Sequence, residues 1–171
     1  MTDTFVQNSI QLWQMEPAKA QSKPTVRARS EGSQAIFEAG SFSWQSDLPP
    51  SLGGGNAYPS PTAYLLSALA GCAVVFIRDT LAPQFEVQVD GVSAVAQCEA
   101  DSRGVLGMGN VIPDLQNLQI TVTIQSPDPE AKVQELYEVW KERCPILLAL
   151  MKPQVVSTKL EVQSTYISAL K

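Results

Sequence analysis

Two stretches of the chain alternate apolar and polar residues with a period of two. Leu115–Gln125 carries Leu118, Ile120, Val122 and Ile124 on one side, and Phe85–Glu99 carries Val87, Val89, Val92, Ala94, Ala96 and Cys98, with Asp90-Gly91 as a turn or bulge. Both read as half-buried strands. Thr25 to Arg29, Gln34 to Glu38 and Ser41 to Gln45 are three shorter strand-like runs, broken at Gly32 and Gly40 where hairpin turns belong. A last strand is expected from Val155 to about Tyr166.

Between these runs the apolar spacing becomes helical. Ser60-Pro61 offers a capping residue followed by proline at the first helical position, and predicts a helix to about Leu81, with Pro83 as its stop. Leu65, Leu66, Leu69, Ala70, Val74, Val75, Phe76 and Ile77 surround its axis, so it is apolar all round and must be buried on all sides. Ala68 and Gly71 are small and allow close approach of another element. One sheet covers one face only, so a second helix or a second subunit has to cover the rest. The stretch Tyr64 to Ile77 is shorter than the ~20 apolar residues of a membrane span, and Arg78 and Asp79 close it. After Pro127-Asp128-Pro129 a second helix sets Val133, Leu136, Tyr137, Trp140 and Cys144 on one face and Lys132, Glu135, Glu138, Lys141 and Glu142 on the other. That amphipathic pattern suits a helix lying on a sheet. Pro145 disfavours helical geometry at Cys144, and a short helix follows from Ile146 to Met151. Residues 48–56 and 100–114 read as loops, the first Gly-rich and the most flexible segment of the chain. Residues 1–24 read as an N-terminal extension with one short packed element, and 25–171 as a single domain. Strands, then a helix, strands, helices and a strand make an α+β fold with a largely antiparallel sheet.

Composition narrows the chemistry. With 171 residues, 44% hydrophobic and 17% charged, the chain is long and apolar enough for a real core. The net charge of −5 argues against a nucleic-acid partner. The absence of histidine removes His-based triads, HExxH zinc sites and imidazole bases. No basic region followed by a long apolar run opens the chain, so a cytoplasmic protein with reduced thiols is expected, without membrane association. Cys72, Cys98 and Cys144 are an odd set at wide spacing, neither a disulfide framework nor a CxxC metal site. Two readings of Cys72 and Cys144 stay open on residues alone. They are small buried hydrophobes, or one is a nucleophilic thiolate and the other resolves its sulfenic acid. A low-pKa thiol needs a cation or a helix N-terminus, and Cys144 precedes a proline-started helix. Cys98 reads as a core residue of its strand.

Residues 60–72, SPTAYLLSALAGC, and 142–150, ERCPILLAL, resemble the OsmC/Ohr family of organic hydroperoxide reductases. The resemblance covers roughly residues 25–165 in element order, including the Gly-rich loop. It implies an intertwined homodimer with strands wrapped around central helices packed back to back. It implies that Cys72 is peroxidatic and Cys144 resolving. It also implies organic hydroperoxides as substrates, an external dithiol reductant, often of lipoyl type, and no metal, haem or flavin cofactor. An arginine of an early strand stabilises the thiolate in such proteins; here Arg27 and Arg29 are the candidates, Arg29 being nearer the turn at Gly32. A glutamate at the start of the cysteine helix orients that arginine in the family. Thr62 and Ala63 hold the matching positions here, leaving Glu31 and Glu38 as the carboxylates available. The departure keeps an alternative in view: a non-enzymatic protein on the same fold that binds a small apolar ligand or senses oxidants through its thiols.

Overall fold

The structure, a computed structural model, describes residues 2–152 and 155–163. Strands β1 (Arg27–Glu31), β2 (Gln34–Ala39) and β3 (Phe42–Ser46) form an antiparallel meander. Its two turns are built alike: Gly32-Ser33 joins Glu31 to Gln34 and Gly40-Ser41 joins Ala39 to Phe42, each with the glycine at φ +59°. A positive φ at the first of two loop residues belongs to the tight hairpin turns whose twist matches that of the strands. Phe37 of β2 stacks on Trp44 of β3 at 5.6 Å and meets the edge of Tyr64 at 6.2 Å. The Tyr64 hydroxyl donates to the Gln45 carbonyl at 2.6 Å. Those contacts tie the meander to the helix that follows.

The Gly-rich segment is pinned rather than free. Asp47, 3% exposed, accepts from the N–H of Leu48 (2.7 Å), Gly55 (3.1 Å) and Ala57 (3.0 Å). A Cβ on Gly54 would lie 2.0 Å from the Leu48 carbonyl oxygen. One carboxylate therefore gathers backbone donors that a loop without regular structure leaves unpaired. It delivers the chain to Ser60, whose hydroxyl accepts the Ala63 N–H at 3.2 Å and caps helix α2.

Helix α2 is continuous over Pro61–Gln84, and so longer than expected. After Phe76 it passes through one π-helical turn, Ile77–Leu81, and resumes as α-helix at Ala82. Pro83 falls in the first turn of that resumed segment, where a missing N–H costs little. At 24 residues with a mean hydropathy of 1.7, α2 reaches the length and apolarity of a membrane span. One line of it is seated in the core: Leu69, Ala73, Ile77 and Leu81 are each at most 2% exposed, while most of the remaining residues are half-buried or exposed. Glu86, in the left-handed region at φ +52°, ends the helix, and the Val87 N–H returns to the Ala82 carbonyl at 2.9 Å. This helix-ending turn displaces the first half of the strand expected over Phe85–Glu99, and β4 is Gly91–Ala100.

Strand β4 pairs antiparallel with β5 (Leu115–Gln125), Ala94 opposite Val122 and Ala96 opposite Ile120, with a bulge between Gln97 and Glu99. The connecting loop contains one helical turn, Ser102–Val105. Helix α3 (Glu130–Arg143) turns Leu136 and Trp140 inward, and α4 (Pro145–Met151) follows at once. Ala73, Ile77, Leu81, Ala82, Val87, Leu136, Trp140 and Cys144 form the buried centre, with the half-buried side of β4 and β5 against it. Outside the domain expected from the sequence, α1 (Thr2–Met15) rests against the end of α2 near Thr80 and Gln84. Residues 155–163 are not a strand; Val155, Val156, Leu160 and Val162 are at least 80% exposed. Alternation gives a segment two faces but no ladder partner, and among the described residues of the chain no strand pairs with this one. The remainder of the expected strand, 164–166, lies outside the described residues.

The Asp47 anchor has a measurable pH signature. The Ala57 N–H first, then those of Leu48 and Gly55, hold its carboxyl below the ordinary value of 3.8, against the effect of burial. A carboxylate depressed on folding stabilises the fold above its unfolded pKa and loses that contribution as pH falls through the folded value. Asp47→Asn should therefore lower Tm at pH 7, and the gap to the parent protein should shrink below about pH 4. An equal gap at pH 3 and pH 7 would sink this account of the loop.

Candidate functional site

Cys72 lies on the flank of α2, between the buried line Leu69, Ala73, Ile77 and the exposed line Ala68, Gly71, Val75. Cys144 lies where α3 meets α4. Its N–H still donates to the Trp140 carbonyl (2.8 Å), as a helical residue's would, but its ψ is 112° because the following proline disfavours helical geometry. The same residue caps α4: its Sγ accepts the Leu147 N–H at 3.5 Å and its carbonyl accepts the Leu148 N–H at 3.0 Å. Proline at the next position lacks the N–H that this arrangement would leave unused.

The two elements bring the sulfurs to 3.2 Å, within hydrogen-bonding distance, across 72 residues of sequence. Both thiols are free. Cys144 is fully buried and Cys72 is half-buried, so Cys72 is the sulfur a small molecule reaches first. Burial, and then the Cys144 thiol beside it, pushes the Cys72 thiol up to about 11, with the Ile146 N–H acting in the opposite direction. At neutral pH such a thiol is ionised in roughly one molecule in ten thousand. An apolar pocket of about 190 Å³, which neither sulfur lines, lies among Leu69 of α2, Leu118 and Ile120 of β5, and Leu147, Leu150 and Met151 of α4.

The cations are elsewhere. Arg29 on β1 pairs with Glu31 two residues on, at 2.5 Å, and the Arg29 guanidinium is raised by that hydrogen bond and charge, with Glu38 contributing further. Arg27 stands opposite Glu38 in the ladder. Within one chain no hydrogen bond or ion pair among the described residues joins either arginine to a sulfur. Arg78 is bound to Asp79. Arg143, next to Cys144 in sequence, lies over the Phe85 ring at 5.5 Å and reaches Gln84. Thr62 and Ala63 open α2 without a carboxylate. Cys98 sits half-buried on β4, as its strand pattern predicts. Tyr64 serves the meander through its hydroxyl, while Tyr58 is 38% exposed in the loop. Among the described residues no group of three His, Cys, Asp or Glu is placed to hold a metal ion.

Sequence reasoning misses Asp47, because an aspartate at the end of a strand carries no pattern until its backbone donors are seen. It also leaves Trp140 as a core residue. The ring is buried, stacks on Tyr137 at 5.5 Å, and keeps an indole N–H without a partner among the described residues.

A family model described as OsmC-like protein matches residues 53–159, which include both cysteines. Among solved structures, the chain is similar to an OsmC-like protein from Mycoplasma pneumoniae, with TM-score 0.63 and 22% identity over 77% of this chain and 89% of that one. An organic hydroperoxide resistance protein from Elizabethkingia anophelis is similar at TM-score 0.58 and 16% identity, over 75% of this chain and 88% of that one. An organic hydroperoxide resistance protein from Legionella pneumophila gives TM-score 0.55 and 17% identity, over 75% and 89%. At these identities the likeness is one of fold. No curated protein matches the chain.

The Cys72 environment predicts slow alkylation at neutral pH. The rate of iodoacetamide labelling at Cys72 should climb through about pH 11. Cys144→Ala, which removes the neighbouring sulfur, should move that midpoint down and speed labelling at pH 8. The sign for stability follows: a thiol raised on folding supports the reduced fold below its unfolded pKa and is lost as pH rises through the folded value. Reduced protein should therefore lose stability between roughly pH 9 and 11. A labelling midpoint near 8.5 would contradict this description of the pair.

Proposed function

The chain belongs to the OsmC-like protein family, and from that premise we propose that it is a cysteine peroxidase that reduces organic hydroperoxides through Cys72 and Cys144. The observation that carries the reading is the 3.2 Å approach of two free sulfurs, one reachable and one buried. Cys72 thiolate attacks the distal peroxide oxygen, the O–O bond breaks, and the alcohol leaves with one proton. The resulting sulfenic acid is attacked by Cys144 sulfur, the S–O bond breaks and water departs. One hydroperoxide and two thiols thus become one disulfide, one alcohol and one water. An external dithiol, of lipoyl type in this reading, restores the thiols by exchange. Sulfur carries both electrons, so the cycle uses no cofactor. The apolar surroundings of Cys72 favour organic hydroperoxides over hydrogen peroxide. The place of action in this reading is the cytoplasm, where thiols stay reduced.

The same proposal includes a homodimer of the single domain spanning 25–171, with 1–24 as an extension. Support comes from the bare line on α2. Ala68, Gly71 and Val75 leave a narrow face, Val75 is 51% exposed, and a Cβ on Gly71 would meet open space within one chain. Small residues on one face admit a second helix at close range. The meander is tied to the rest of its own chain mainly through residues 46–64, as suits a sheet that reaches toward a second copy. In this arrangement Arg29, anchored by Glu31, or Arg27 supplies the cation that one chain does not bring to Cys72.

Light scattering should give twice 18.5 kDa at micromolar concentration. Gly71→Leu separates the possibilities well. In a monomer the new side chain would point into solvent and replace a poor helix former by a good one, a gain of roughly 0.5–1 kcal/mol. Against a second α2 it would force the helices apart, and we expect monomers of lower stability. A dimer unaffected by Gly71→Leu would place the interface elsewhere.

Turnover with cumene hydroperoxide and a dithiol should be slow but measurable, absent in Cys72→Ser, and limited to one equivalent in Cys144→Ser. Arg29→Ala should lower it several-fold, the effect of ~1 kcal/mol, and Thr62→Glu should raise it. If Arg29→Ala and Arg27→Ala both keep the full rate, the cation assignment is wrong. The unionised Cys72 and the missing carboxylate at 62 and 63 favour one competing reading, a thiol sensor. A single stoichiometric oxidation of the parent protein, without turnover, would establish that reading instead.

A further inference from the structure

The two sulfurs are mounted on supports of unequal stiffness. Cys72 is in the middle of α2, flanked by Leu69 and Ala73, which are 2% and 0% exposed against the core. It cannot advance without moving that core. Cys144 stands at a junction where Pro145 interrupts the helical ladder. Beyond it, α4 contains no fully buried residue and leads into exposed chain at 155–163. A disulfide needs sulfurs about 2.05 Å apart, so the 3.2 Å pair must close by roughly 1.2 Å. In the dithiol state Cys144 Sγ also accepts the Leu147 N–H, the one side-chain cap of α4. A sulfur turned toward Cys72 and bonded to it gives up that acceptor position and leaves the amide unpaired.

We propose that the α3–α4 junction is a redox hinge: closing the Cys72–Cys144 bond draws Cys144 toward α2, removes the cap from α4 and loosens its first turn. The bond forms as two thiols give two electrons and two protons to a hydroperoxide, which leaves as alcohol and water; a dithiol reverses it. Helix α4 also forms one wall of the apolar pocket, through Leu147, Leu150 and Met151, opposite Leu69, one turn before Cys72 on α2. Oxidation therefore alters the surface next to the disulfide, which gives a reductant a feature that distinguishes oxidised protein from reduced. The inference rests on Cys72 and Cys144 being a reversible couple, and not on turnover.

The test uses the full chain and an oxidant that bypasses the peroxidase. Diamide takes up the two electrons and two protons to become a hydrazine, and peptide mapping verifies the Cys72–Cys144 bond. Hydrogen exchange is then followed by mass spectrometry. Peptides covering 145–151 should exchange at least several-fold faster after oxidation and return to baseline with dithiothreitol. Those of α2 before Phe76 and of β5 should stay unchanged. Cys144→Ser, which cannot form the bond, should show no response to diamide. A verified disulfide with unchanged or slower exchange at 145–151 would overturn the hinge and leave the couple intact, and an equal response in Cys144→Ser would also overturn it. Failure of diamide to join the two cysteines would end the couple itself, and the hinge with it.

Discussion

A helix with no polar face has to be covered on every side, and the rest of the molecule is arranged around that requirement for α2. Each Leu-sized side chain left in water forgoes ~1.5–3 kcal/mol. On one side the cover is complete: β4 and β5 present their half-buried faces, and α3 lays Leu136 and Trp140 over Ile77 and Leu81. Those contacts place α3, and so fix where the residue that follows it, Cys144, lies. On the other side Ser67, Ala68, Gly71 and Val75 remain bare, with the Arg78–Asp79 pair closing that face. Cys72 lies on the line between the two sides. That is why it is at once packed against the core partner Cys144 and open to a small molecule.

The same position carries a chemical cost. Removal from water and a second thiol at 3.2 Å both disfavour a charge on Cys72, and a single backbone amide does not reverse them. These arginines do not help, since Arg29 is held by Glu31, Arg78 by Asp79, and Arg143 turns toward Phe85 and Gln84. The geometry is well suited to joining two sulfurs and poorly suited to ionising the first one. In the proposed peroxidase cycle, whatever accelerates the first step has to come from outside the described residues of one chain, and a sulfur on the boundary of an uncovered helix face is where a second chain would bring it.

Much of this was legible in the sequence because local rules and global packing agree. The strands flanking Gly32 and Gly40, the period-two run of β5 and the capped, proline-started α2 fold as their patterns predict. So does the amphipathic α3 ended by Pro145. Where the reading departs from the structure, a partner far along the chain decides. Phe85 to Val89 alternates like a strand, yet Val87 is bonded to Ala82 and the Gln88 N–H to Asp128, 40 residues on. The Gly-rich segment is polar and irregular, yet Asp47 fastens it. Val155 to Val162 alternates without a strand beside it. For the site, the cysteines stood out by their motifs and their approach is realised. The relation of Arg27 and Arg29 to them was not legible, because period-two spacing puts both on one face of β1 without saying what that face meets.

The Cys-Pro pair unites the structural and chemical halves of the molecule. A proline after Cys144 is first a stop signal, which ends α3 at the length that seats Trp140 in the core. It is equally a start signal, since its fixed φ and missing N–H suit the first residue of α4. Between the two roles the cysteine is left in extended geometry, with its sulfur within reach of both the α4 amide of Leu147 and Cys72. A cysteine inside an unbroken helix would have its side chain committed to one direction and its backbone to the ladder. Breaking the helix at the residue that must move gives one sulfur a rigid seat on α2 and the other a pivot. In the proposed cycle, bond formation and reduction would then draw on the Cys-Pro junction rather than on α2, whose Leu69 and Ala73 are held in the core.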